Sequence, residues 1–75
     1  MDIVKTITSR DNARRVEIHR RSNGTYGFYE YIWDSEDKAW IQHGHYSHSF
    51  VDSPERAEAE ARARVDWLIA EGADD

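Results

Sequence analysis

Residues 3–8 read Ile-Val-Lys-Thr-Ile-Thr, β-branched at five of six positions, and run into Ser9-Arg10-Asp11-Asn12, all turn-forming or polar. This predicts a first strand. Across residues 15–21 the character alternates, with Val16 and Ile18 on one side and Glu17, His19 and Arg21 on the other, until Ser22-Asn23-Gly24 closes a hairpin. Residues 25–33 follow as a strand with apolar side chains on both faces: Tyr26, Phe28 and Ile32 alternate with Tyr29, Tyr31 and Trp33. After the acidic turn Asp34-Ser35-Glu36-Asp37, residues 38–45 predict a fourth strand, with Gly44 marking a bulge or bend near its end.

The period then changes from that of a strand to that of a helix. Asp52-Ser53-Pro54-Glu55 supplies an N-cap, a proline for the first turn and a capping-box glutamate three residues after Asp52, and Gly72 supplies the stop. One helix over residues 53–71 is expected, followed by a short acidic tail at 72–75. At 100° per residue Ala57, Ala61, Val65, Leu68 and Ile69 fall on a single stripe that would pack on the sheet, and Trp67 falls off it. Trp67 is therefore expected as an exposed anchor or as a ring folded over the helix edge. The predicted fold is α+β: a small antiparallel meander of three to four strands followed by one C-terminal helix on one face.

At 75 residues the chain is read as a single domain over 1–75, which buries only about 60% of its unfolded surface. Three Trp, four Tyr and two Phe supply the apolar area that disordered chains lack. The absence of Cys excludes disulfides, thiolate metal sites and thiol catalysis. With no long apolar run, the expected location is cytoplasmic, without membrane insertion.

Charge divides along the chain. Before Asp34 there are six basic and four acidic residues; from Asp34 onward there are four basic and eleven acidic, giving the net charge of −5. Such a field bears on partners and association rates rather than on fold.

His43, His45 and His48 invite a metal reading, since imidazoles alternate on a strand, but alternation sends His48 to the other face and no Cys completes a set of four ligands. No metal or other cofactor is expected. The same histidines beside Ser47, Ser49 or Asp52 do not build a nucleophile elbow, and no glycine-rich phosphate loop is present, so the chain is read as a non-enzyme. The aromatic strand matters more, because one helix covers only one face of a small sheet. The other face is expected to be a surface of Tyr, Trp and Arg, the residue types enriched at binding hot spots.

Gly24-Thr25-Tyr26 opening an aromatic strand, a polar turn, a further strand, and Asp52-Ser53-Pro54-Glu55-Arg56-Ala57-Glu58-Ala59 leading into a helix together resemble the arm-type DNA-binding domain of tyrosine-class phage integrases, over about residues 15–70. The resemblance implies a sheet that carries basic residues into the DNA major groove, with Arg15, Arg20, Arg21 and Lys38 as the matching cations. The acidic turn and helix depart from that pattern, because phosphate contacts supply most nucleic-acid affinity. By size, charge and lack of Cys the chain is also similar to small phage-encoded inhibitors, above all anti-CRISPR proteins that imitate DNA.

That second resemblance implies a non-catalytic module that presents carboxylates, in place of phosphates, to the basic nucleic-acid-binding surface of a protein partner. The expected contact set is Asp34, Glu36, Asp37, Asp52, Glu55, Glu58 and Asp66, with Trp67 or Tyr31 as the apolar anchor. A self-associating structural module, a homodimer through a sheet edge or aromatic face, is the third reading.

Overall fold

The computed structural model describes residues 2–44 and 50–73. It contains four strands, β1 (Asp2–Thr8), β2 (Arg14–Arg20), β3 (Tyr26–Asp34) and β4 (Ala39–His43), then helices α1 (Pro54–Arg64) and α2 (Asp66–Ala73). The sheet order is β1-β2-β3-β4 with every neighbour antiparallel, so the α+β meander read from the sequence is the observed fold. The molecule measures 35 × 31 × 19 Å, the short dimension matching one layer of helix on one sheet at about 10 Å between layers. No helix among the described residues is long and apolar enough to cross a membrane.

Each turn follows from local chemistry. Between β1 and β2 the Asp11 carboxylate accepts from the Ser9 hydroxyl at 2.6 Å and the Ala13 N–H at 3.0 Å, while Asn12 takes the left-handed conformation at φ 61°. The Ser9 hydroxyl bond, then that of the Ala13 N–H, holds the Asp11 carboxyl below the usual aspartate range. Between β2 and β3, Gly24 sits at φ 84° and the loop closes through Arg21 N–H to the Thr25 carbonyl at 2.8 Å. Between β3 and β4, Asp34 accepts from the backbone N–H groups of Glu36 and Asp37 at 2.9 and 3.3 Å, and Lys38 makes the reversal at φ 51°.

Register decides which face is covered. Val16 lies opposite Ile7 on β1 and Glu30 on β3, and Ile18 lies opposite Phe28, so these side chains share one face. Val16, Ile18 and Phe28 are fully buried there against Ala57, Ala61 and Val65, with Trp67 and Leu68 completing the core. The alanines let α1 lie close to the sheet, because on the helix side only a methyl group stands between its backbone and the side chains of Val16, Ile18 and Phe28. The residues of the other set, Tyr29, Tyr31 and Trp33, face away from the helices.

Four expectations need correction. The fourth strand ends at His43 rather than at 45, with Gly44 at φ 81°. The cap is Ser53, whose hydroxyl accepts from the Arg56 N–H at 3.2 Å, rather than Asp52 with Glu55. The single helix over 53–71 is two helices, because Val65 adopts an extended conformation, φ −85° and ψ 116°, after its N–H has bonded to the Ala61 carbonyl. That break shifts the helical phase, so Trp67 is buried at 7% exposure and Ile69, expected on the packing stripe, is 47% exposed.

Among the described residues upstream of α1, the chain returns to the sheet at Val51. Tyr26 and Val51 exchange backbone hydrogen bonds of 2.8 and 3.0 Å on the edge of β3, beyond the end of β4, which fixes where the first helix starts.

Candidate functional site

The sheet face opposite the helices is lined along β2 by Arg15, Glu17 and His19 and along β3 by Tyr29, Tyr31 and Trp33, with Trp40 from β4 directly opposite Trp33. Much of this face is occupied by its own contacts. The Arg15 guanidinium pairs with Glu17 at 2.9 Å and lies over the Trp40 ring at 4.4 Å and the Tyr31 ring at 5.7 Å. His19 packs edge-on against Tyr29 at 5.1 Å, its Nε2 3.3 Å from Glu17, and both Glu17 and His19 are buried. Burial is the main cause that raises the Tyr31 phenol above its usual range; Glu17 and Tyr29 add to the shift and Arg15 opposes it. Tyr31, expected as an anchor, is thus half-buried beside Arg15, while Trp33, edge-on to Trp40 at 5.4 Å, is 40% exposed and Phe50, stacked on Arg21, is 56% exposed.

The four cations of the DNA-binding reading do not share a surface. Arg15 is held on the face just described. Arg20 lies opposite Tyr26 on the helix-bearing side and pairs with Asp2 at 2.9 Å. Arg21 stacks over the Phe50 ring at 4.4 Å, with both terminal nitrogens buried, and Lys38 stands at the β3–β4 reversal.

The carboxylates divide as well. Glu58 bonds Lys5 at 2.6 Å and Arg62 at 2.9 Å, which together hold its carboxyl below the ordinary glutamate range, with Lys5 the larger cause. Glu60 pairs with Arg64 at 2.9 Å and Asp52 with Arg56 at 3.4 Å. Asp34 is used by its turn, and Glu36, Asp37, Glu55 and Asp66 are exposed and enter no ion pair among the described residues. Val51 is bridged to Tyr26 at the start of the nine-residue β3, and the acidic turn follows its end at Asp34. The acidic turn and the start of α1, with Asp52 and Glu55, therefore stand about 26 Å apart at roughly 3.3 Å per residue of strand, and Asp66 lies between them, next to Trp67 over Glu30. Trp67 belongs to neither: its indole N–H donates to Glu30 at 3.2 Å inside the core, which removes it from the expected contact set.

Exposed acid adjoins exposed apolar surface beside β1, where Val4 meets Glu55, and at the β3–β4 end, where the carboxylates are free of ion pairs among the described residues. At the β3–β4 end a cleft of about 380 Å³ is lined by Ile32, Trp33, Asp34, Glu36, Ile41 and His43, among others, and Ile41 is 47% exposed. Sequence reading found the acids and put Trp33 on an aromatic face expected to be uncovered, but missed Ile41. The signal was present: a turn of Ser35 to Lys38 with Asp34 opposite Ala39 sets Trp33 against Trp40 and Ile32 against Ile41.

No three His, Asp or Glu side chains among the described residues gather as a metal site; His43 is exposed on β4, and His45 and His48 lie outside the described residues. No family, curated protein or solved structure was found that matches this chain.

Proposed function

We propose that the chain is a non-catalytic protein-binding module that docks through the β3–β4 end onto a basic surface of its partner, in the manner of an anti-CRISPR-like inhibitor whose carboxylates take the place of nucleic-acid phosphates. The supporting observation is the juxtaposition of Glu36 and Asp37, exposed and unpaired among the described residues, with exposed Trp33 and Ile41. Unpaired surface carboxylates steer a cationic partner, and the Trp33 indole on one face of the sheet and Ile41 on the other give the encounter apolar contacts to hold it. The contact set is accordingly Asp34, Glu36 and Asp37 with Trp33 and Ile41, in place of a row reaching along the helix. The DNA-binding alternative has less support, because its cations are divided between two faces and two of them are ion-paired.

The test is a pull-down from the native host lysate at low and moderate salt, with and without nuclease, using the protein and its Glu36→Lys/Asp37→Lys variant. A captured nucleic-acid-binding protein that survives nuclease, binds about tenfold or more weakly to the variant and is released by salt is the expected result. Equal capture by both proteins at equal thermal stability would overturn the reading, and nucleic acid captured directly would favour the DNA-binding alternative.

A further inference from the structure

The two edges of the sheet are defended unequally. β1 exposes Ile3 and Val4, yet its register slips between Ile3 and Lys5, and Lys5 and Asp2 are tied to Glu58 and Arg20. A bulge and edge charges are the usual devices that prevent another strand from pairing. β4 has neither: its register with β3 runs without a break from Ala39 to His43, and the strand holds no proline, lysine or carboxylate.

The direction of its backbone groups follows from one bond. Trp33 N–H donates to the Ala13 carbonyl on the β2 side, so the neighbouring Ile32 and Asp34 direct their backbone groups to β4, where Ile41 and Ala39 face inward. Trp40 and Gln42 then direct their N–H and C=O groups outward, and no described strand lies beyond them. An edge of this kind is a template for an added strand, and here it has an apolar residue for each face of that strand: Trp40 on the Trp33 side and Ile41 on the other.

From this edge we infer that the partner enters as an extended segment that adds to β4 as a fifth antiparallel strand, and that its C-terminal end is basic. This rests on the docking surface proposed above and names how it is engaged. The polarity comes from charge. β4 begins at Ala39 beside the acidic turn, so a strand running antiparallel to it finishes next to Asp34, Glu36 and Asp37, where lysine or arginine is complementary. Apolar side chains at successive positions of the segment meet Trp40 and Ile41 in turn, since alternate residues of a strand lie on opposite faces. A second copy of this chain fits less well, because each copy carries a net charge of −5.

The probe is a short synthetic peptide of consecutive valines flanked by threonines that ends in lysines at its C-terminus, compared with the same composition beginning with the lysines. Amide hydrogen exchange of the protein is measured by NMR with each, and tryptophan fluorescence reports affinity. The lysine-last peptide is expected to bind about tenfold more tightly and to slow exchange at Trp40 and Gln42 by about tenfold or more. Gln42→Pro removes one outward donor and no bond to β3, and should weaken binding by about tenfold; N-methylation of the peptide's edge-facing amides does the same without touching the protein.

A peptide that binds, loses affinity in Glu36→Lys/Asp37→Lys, and leaves Trp40 and Gln42 exchange unchanged would overturn strand addition while the docking surface stands. Absence of binding by either peptide, together with a partner insensitive to Glu36→Lys/Asp37→Lys, would overturn both. Slowing of the same amides with protein concentration alone would assign the edge to a second copy.

Discussion

Trp67 shows how one side chain can serve two demands at once. Its ring fills the core between the helices and the sheet, and its N–H reaches the buried Glu30 carboxylate at 3.2 Å, so removal takes away both packing and a donor inside a low-dielectric interior. Trp67→Ala is expected to cost about 3–5 kcal/mol in urea unfolding. Ile69, two residues on and 47% exposed, is the internal comparison: Ile69→Ser should stay within about 0.5 kcal/mol of the parent. A large loss at Ile69 and a small one at Trp67 would restore the continuous helical stripe read from the sequence. The amphipathic pattern was legible, but its phase after Val65 was not, because the residue that draws Trp67 inward lies 37 positions away.

Helix α1 is tied to the edge strand β1 by Lys5 and Glu58, and this tie makes stability depend on pH in a definite direction. Because the folded-state pKa of Glu58 lies below its unfolded value, its contribution is fully present above the ordinary glutamate range and is lost as pH falls from that range through the folded value. The thermal midpoint of Glu58→Gln should therefore lie below that of the parent at neutral pH, with the gap closing at acid pH and shrinking with added salt, since Lys5 is exposed. A gap that widens on acidification would contradict the pairing. At the same scale, all three turns between strands and the helix start were readable, since Asn, Asp, Gly, Ser and Pro act on their own few neighbours. The displacement of the cap from Asp52 to Ser53 moves the helix start by one residue and leaves Pro54 in its first turn.

Across the whole molecule the acidic turn at Glu36 and Asp37 and the start of α1 at Asp52 and Glu55 form two patches about 26 Å apart, farther than the screening length of about 8 Å at physiological salt. Charge reversal at the two patches should act independently: Glu36→Lys/Asp37→Lys slows partner association and Glu55→Lys, at the far end, leaves it nearly unchanged when measured by stopped-flow mixing. Equal slowing by both would favour one long acidic surface. The sequence by itself determined the order of four strands and a C-terminal helical segment, the turn chemistry, and the pool of acidic and aromatic residues, because alternation, helical period and turn preference operate within a few residues. Only the tertiary structure decided which aromatics are covered, that Trp67 is interior, that Arg21 stacks on Phe50, and that no described strand pairs with the outer edge of β4. Those outcomes depend on register between segments distant in the chain and on which face the helices bury, and both are fixed by long-range packing.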